Sequence, residues 1–124
     1  MSRDRNVLGE PLTPCCYEPK TGYYRDGFCR VGFDDVGIHS VCAVVTEEFL
    51  AFSKAQGNDL VTPRPEHGFP GLKPGDRWCL CAGRWLEAAQ VGVAPPVILS
   101  GTHQKTLTII PLIKLQQYAL DALH

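Results

Sequence analysis

The spacing of apolar positions predicts one strand followed directly by one helix in the first half of the chain. The run at 40–45, Ser-Val-Cys-Ala-Val-Val, is typical of a buried strand. Thr46 offers a side-chain oxygen for a helix N-cap, and two glutamates follow where the helix dipole favours negative charge. Apolar residues then recur at helical spacing until Gly57, a residue that suits the left-handed end of a helix. We therefore predict a strand at 40–45 and a helix at 46–56.

Shorter elements follow in the second half of the chain. The pattern predicts a strand at 77–82, a helix at 84–91, strands at 97–99 and 106–110, and a last helix that begins at Pro111. Upstream, the dipeptide Asp26-Gly27 between aromatic and β-branched residues predicts a hairpin. This order of elements predicts an α+β fold with one mixed β-sheet and two or three covering helices. A length of 124 residues fits a single domain at 1–124, with a flexible tail at 1–6.

The segment at 57–76 interrupts this pattern. It contains four prolines and four glycines, and no regular secondary structure accommodates so many helix and strand breakers. We predict a long ordered loop. Such a loop is either a stiff surface connection or part of a binding site, because long ordered loops are enriched in function.

Charge and composition narrow the range of partners. Twelve basic and 13 acidic residues give a net charge of −1, so the chain has no general field that would attract nucleic acid or an anionic membrane. The N-terminal sequence is charged and polar, unlike a secretory signal, and no apolar run reaches the roughly 18 residues that cross a bilayer. We expect a cytoplasmic protein that binds neither nucleic acid nor membrane. Its six cysteines are then expected to be thiols.

Cys81 is the first candidate for reactive chemistry. It ends a predicted strand just before a predicted helix, and a thiolate is stabilised near a helix N-terminus. A nucleophilic thiol needs a base within hydrogen-bond reach, for which His103 and His39 are the candidates. Asp76 would lie nearby, and Arg64 in the loop would hold an anionic group through a bidentate contact. The alternative is that Cys81 and its neighbour Cys79 simply pack as small apolar side chains.

Two further clusters have less specific spacing. Loop arginines and carboxylates can bind a polar ligand or lock loops together, and this group is Arg25, Asp26, Asp34, Asp35, His39, Arg64, Glu66 and Asp76. Within it, we take Arg64, Arg25, Asp26 and His39 as candidate ligand-binding residues. Cys15, Cys16 and Cys29 form a candidate zinc site completed by His39 or Cys42, although paired zinc cysteines are usually two to four residues apart.

Several stretches of the chain also carry a specific resemblance. They are Pro14-Cys15-Cys16, Thr21-Gly22-Tyr23-Tyr24-Arg25-Asp26-Gly27, residues 35–44, 49–53, 57–60 and 62–65, the run Gly68-Phe69-Pro70-Gly71-Leu72-Lys73-Pro74-Gly75-Asp76-Arg77-Trp78-Cys79-Leu80-Cys81-Ala82, residues 84–85 and 92–97, and Thr102-His103. Nearly all of the chain after residue 6 resembles a widespread bacterial family, also seen in plants, called domain of unknown function 2237. The resemblance implies a stand-alone domain of about this length and no particular activity.

Three functions from different classes follow from these features. The first is a small-molecule-binding protein or enzyme whose polar site lies where the 57–76 loop meets the strand end at Cys81. The second is a non-catalytic interaction or accessory domain with a protein partner or a second copy of itself, which would use the aromatic residues Tyr23, Tyr24, Phe28 and Phe69. The third is a module stabilised by zinc.

Overall fold

Two strands and three α-helices make up the regular structure of the part of the chain that the structure describes. The computed structural model describes residues 4–16, 21, 26–32, 35, 38–67 and 69–121. Its elements are β1 (His39–Val44), α1 (Glu47–Ala55), β2 (Arg77–Cys81), α2 (Ala82–Gln90) and α3 (Leu112–Tyr118), with short 3₁₀ helices at Pro65–His67, Leu99–Gly101 and Gln104–Thr108. The fold is α+β, as the sequence predicts.

Within the described residues, the regular sheet is an antiparallel pair of β1 with β2. Cys42 lies opposite Cys79 in the ladder, and a bulge interrupts the register between His39 and Val41. On the other edge of β1, Val97 forms one antiparallel bridge with Ala43 and one parallel bridge with the residue that follows α3. The regular sheet is therefore smaller than the mixed sheet that the sequence predicts, and parallel pairing is limited to this bridge among the described residues.

Helix α1 begins and ends where local chemistry requires. The Thr46 hydroxyl accepts the backbone N–H of Phe49 at 3.1 Å, which satisfies one of the free donors of the first turn. Phe49 and Leu50 are buried against the core. Gly57 follows the helix at φ +90°, a conformation that glycine adopts without a Cβ clash. The prediction of a helix at 46–56 is confirmed.

The core is centred on the fully buried Trp85 of α2. Its indole Nε1–H donates to the carbonyl of Pro95 at 3.0 Å, so the polar atom of this large side chain is satisfied inside the protein. Tyr118 of α3 packs edge-to-face on the same ring, with 5.1 Å between centroids. One side chain thus ties α2, the segment before Val97 and α3 together.

Several predicted elements differ in the structure. Residues 106–110 form no strand, because the buried hydroxyl of Thr106 bonds the hydroxyl of Ser40 and holds the segment in a 3₁₀ turn. The strand predicted at 97–99 is reduced to the bridges of Val97. Helix α2 starts at Ala82, two residues earlier than predicted. The first arm of the predicted hairpin lies outside the described residues, and the second arm, 28–31, is not a strand.

The 57–76 segment is ordered partly by hydrogen bonds between its own residues. The carboxylate of Asp59 accepts the N–H groups of Val61 and Thr62, and a bridge joins Arg64 to Phe69. One 3₁₀ turn, Pro65–His67, lies between the bridge partners and was not predicted. Over the stretches of chain given above, no helix has the length and apolar character needed to span a membrane.

Candidate thiol site

The bulge in β1 brings a histidine beside the thiol at the end of β2. His39 is the first residue of β1, and Cys81 is the last residue of β2 and its partner in the ladder. Bulges re-aim side chains at strand ends, and this one lies directly after His39. The His39 ring makes a side-chain hydrogen bond with Cys81.

Asp35 holds the other side of the imidazole. Its carboxylate Oδ1 lies 2.6 Å from His39 Nδ1, and Oδ2 accepts the backbone N–H of the same residue at 2.9 Å. The Asp35 side chain is fully buried, so this two-point contact fixes the ring orientation. Cys81, His39 and Asp35 therefore form a continuous thiol–imidazole–carboxylate chain.

The charge state of His39 follows from these two neighbours. The hydrogen bond with Cys81 raises the pKa of His39 to about 9, and the contact with Asp35 acts in the same direction. Burial lowers the pKa of His39, but by less than the neighbours raise it. The imidazole is thus a cation at neutral pH.

Backbone strain occurs at the residue that connects Asp35 to His39. Ile38 has φ +49°, in the left-handed region that β-branched residues rarely adopt. Its carbonyl accepts the N–H of Ala82 at 3.0 Å, and its N–H donates to the carbonyl of Asp35 at 3.1 Å. The strained residue therefore links the aspartate to the first residue of α2. Strain of this kind persists where the surrounding structure overrides it, and it is enriched at functional sites.

Cys81 also occupies the N-cap position of α2. Its half-buried side chain makes no capping hydrogen bond, so the sulfur is not committed to the helix. The first-turn N–H groups of a helix lack intrahelical acceptors and favour negative charge. The position suits a sulfur anion or an oxyanion that forms beside it.

A cavity of about 320 Å³ opens beside this chain of side chains, where the 57–76 loop meets β2. Its walls are His39, Asn58, Asp59, Leu60, Arg64, Phe69, Trp78, Cys79, Leu80 and Cys81. The volume suits a small organic molecule.

Two charged residues of the loop line the cavity. Hydrogen bonds from the Thr62 hydroxyl and then from the N–H groups of Val61 and Thr62 lower the pKa of Asp59 to about 2, so it is an anion at neutral pH. The exposed Arg64 guanidinium has no ion-pair or hydrogen-bond partner among the described residues. It is available for an anionic group of a ligand.

Two of the residues assigned to catalysis from the sequence, His103 and Asp76, do not line this cavity. His103 lies away from the cavity, and both its ring nitrogens are engaged, Nε2 with Asp4 at 3.1 Å and Nδ1 with the N–H of Lys105 at 3.0 Å. The Asp76 carboxylate accepts the N–H of Lys73 in the turn before β2. The five residues of that strand separate Asp76 from Cys81 by about 16 Å. His39 and Asp35 take the positions expected for His103 and Asp76.

The candidate ligand-binding residues divide between two places. Arg64 and His39 line the cavity. Asp26 instead pairs with Arg30 at 2.5 Å and accepts the N–H of Phe28, which is a structural role in its own loop. Arg25 lies outside the described residues. The sequence places Asp35 among the polar loop residues but predicts no role for it. The signal that could have indicated its contact with His39 is its position four residues before that histidine.

Four of the six cysteines are paired as disulfides, contrary to the expectation of thiols. The pairs are Cys15–Cys42 and Cys29–Cys79, while Cys16 and Cys81 are free. Of the three cysteines predicted to bind zinc, Cys15 and Cys29 are clustered, but their third close neighbour is Cys79, not Cys16.

Sequence comparison agrees with the resemblance noted above. A profile of the family described as "Uncharacterized protein conserved in bacteria (DUF2237)" matches residues 5–119. The match includes every residue of the thiol site and of the cysteine cluster. No curated protein matches the chain.

Proposed function

We propose that this chain, which belongs to the DUF2237 family of uncharacterised bacterial proteins, is an enzyme that uses Cys81 as a nucleophile on a small anionic substrate. The observation that carries the proposal is the Cys81–His39–Asp35 chain at the wall of a cavity of substrate size. A thiol, a base and a group that orients the base are the parts of an activated nucleophile.

Each residue has a distinct role in the proposed chemistry. The sulfur of Cys81 attacks an electrophilic carbon of the substrate, and the His39 imidazolium stabilises the negative charge that develops on this sulfur. His39 returns its proton to the leaving group, and Asp35 keeps Nδ1 occupied so that Nε2 faces the reaction. First-turn N–H groups of α2 stabilise negative charge that develops on the substrate.

The substrate class follows from the walls of the cavity. Phe69, Trp78 and Leu80 supply apolar surface, and Arg64 supplies a cation that has no partner within the described part of the chain. A cavity of about 320 Å³ is at the lower end of ligand sites. We propose a small molecule with one carboxylate or phosphate held by Arg64 and an electrophilic carbon near Cys81.

Alkylation with iodoacetamide tests the nucleophile, and the second free thiol, Cys16, is an internal control of similar burial. An ordinary thiol is about 1% thiolate at pH 6.5. We therefore expect Cys81 to react at least about tenfold faster than Cys16 at this pH, measured by peptide mass spectrometry. The His39→Gln variant should lose this advantage, whereas His103→Gln should retain it. Equal rates at the two cysteines in the unmodified protein would refute the proposal.

The role of Arg64 is tested by comparing a charged reagent with a neutral one of similar size. For each reagent, the alkylation rate at Cys81 is divided by the rate at Cys16. This ratio should be larger for iodoacetate than for iodoacetamide, because Arg64 attracts the carboxylate of iodoacetate. Arg64→Gln should remove this preference and leave the iodoacetamide rate within about twofold. An unchanged preference would exclude Arg64 as the anion site while leaving the nucleophile intact.

We further propose that the protein acts in the cytoplasm, a compartment that would keep Cys81 as a thiol and reduce the Cys15–Cys42 and Cys29–Cys79 disulfides. The alternative of an interaction domain receives less support. Phe69 is buried against Trp78 and is not available to a protein partner, and Phe28 packs under the guanidinium of Arg30. Tyr23 and Tyr24 lie outside the described residues.

A further inference from the structure

A second group of sulfurs lies on the same strand pair and does not include Cys81. Cys42 and Cys79 face each other across β1 and β2. Cys15 and Cys29 come from the N-terminal segments and complete the two disulfides. All four residues are at most 3% exposed, and they form their own buried cluster with Ile98 packed against it.

The sulfurs are closer together than two independent disulfides require. The Sγ atoms of Cys15, Cys29 and Cys79 all lie within 4.8 Å of one another, and Cys42 is bonded to Cys15. Tetrahedral zinc with Zn–S bonds of about 2.3 Å places its four sulfurs about 3.8 Å apart. The three mutual distances among Cys15, Cys29 and Cys79 therefore exceed those of a zinc site by about 1 Å at most. Once both disulfides are open, Cys42 supplies the fourth sulfur from its position beside Cys15.

The backbone around the cluster is held by bonds that do not involve sulfur. The N–H of Cys79 donates to the Thr21 hydroxyl at 2.7 Å, and the N–H of Cys42 donates to the Thr102 hydroxyl at 3.1 Å. The N–H of Cys15 donates to the carbonyl of Gly27 at 2.7 Å. These bonds and the β1–β2 ladder keep three of the four cysteines in place when the disulfides are reduced.

We propose that Cys15, Cys29, Cys42 and Cys79 form a four-thiolate zinc site in the reduced protein, and that the two disulfides are its oxidised, metal-free state. Reduction by a phosphine consumes one phosphine and one water per disulfide and yields two thiols and a phosphine oxide. Binding of Zn²⁺ to the four thiols then releases four protons. Soft thiolate ligands select zinc over the hard cations Mg²⁺ and Ca²⁺. Neither Cys81 nor His39 is a ligand of this site, so the zinc proposal and the nucleophile proposal are tested independently.

Native mass spectrometry after reduction with a phosphine, followed by one equivalent of zinc, tests the proposal. We expect one Zn²⁺ per reduced chain and none for the disulfide form at the same zinc concentration. Cobalt(II) in place of zinc should give the visible absorption of a tetrahedral thiolate site. A folded reduced chain that takes up no zinc would overturn the proposal and leave the disulfides as a purely structural staple.

A matched pair of variants identifies the ligands. Cys42→Ser should weaken zinc binding at least about 100-fold, since removal of a ligand costs more than removal of a supporting residue. Cys16→Ser removes a free thiol next to the cluster and should leave affinity within about twofold. Near-ultraviolet circular dichroism separates folded binding from capture by an unfolded chain, because Trp78 precedes Cys79 in β2. Equal zinc affinity in the two variants would refute the assignment.

Discussion

Gly71 in the loop that walls the cavity is the position where one added methyl group should have the largest local effect. It has φ +83°, and a Cβ there would overlap the carbonyl oxygen of Val61 across the loop. Since that oxygen belongs to the backbone, no side-chain rotation relieves the overlap. Gly75, in the turn before β2, has a similar φ of +97° and nothing within 4 Å of the same methyl position.

The two alanine variants therefore separate backbone conformation from close packing. A left-handed conformation costs an L-residue about 1–2 kcal/mol, which applies to both Gly71→Ala and Gly75→Ala. Overpacking adds about 1–3 kcal/mol at Gly71 alone. We expect losses of about 1–2 kcal/mol for Gly75→Ala and about 2–5 kcal/mol for Gly71→Ala, both partly offset by the lower entropy of the unfolded chain.

Urea denaturation measured at one pH and under one redox condition gives the difference directly. The unfolded-state effect of a Gly→Ala change is common to both variants, so it cancels in the comparison. Gly71→Ala should be less stable than Gly75→Ala by about 1–3 kcal/mol. Equal losses would refute this reasoning, because they would show that the close approach of residue 71 to Val61 is not maintained in solution.

Two further predictions concern pH and helix capping. The pKa of His39 is raised from 6.5 to about 9 in the folded protein, so its stabilising contribution is complete below about pH 6.5 and is lost as pH rises towards 9. Urea denaturation across this window should show a decline in the free energy of unfolding that is absent in His39→Gln. An identical decline in the variant would refute the assignment. Thr46→Ala should destabilise the protein by about 1 kcal/mol because it removes the N-cap acceptor of α1, whereas Thr46→Ser keeps that acceptor and should stay near the original stability; equal losses in both would contradict the capping role.

Elements with local signals were predictable from the sequence. Helix α1 has its cap, its acidic first turn and its terminating glycine within the twelve residues 46–57, so neighbours in the chain determine it. The segment at 106–110 was mispredicted because its conformation depends on a hydroxyl contact between Thr106 and Ser40, which are 66 residues apart. No pattern of apolar spacing contains that information.

The candidate site also has a part that the sequence predicts and a part that it does not. The position of Cys81 at the junction of a strand and a helix was readable from the sequence, and so was the loop that faces it. The identity of its partner was not, because His39 reaches Cys81 only through the pairing of β1 with β2 and the bulge between them. His103 had the same residue type, but its ring is occupied by Asp4 and by the backbone of Lys105.

The two tryptophans lie in different environments, so their fluorescence reports on two different regions of the protein. Trp78 lines the cavity and packs edge-to-face on Phe69 of the loop, with 5.2 Å between centroids. Trp85 is fully buried in the core, where its indole N–H donates to the carbonyl of Pro95, so a ligand in the cavity does not contact it. Fluorescence that changes on ligand addition therefore reports on the environment of Trp78, and emission that changes only on denaturation reports on Trp85.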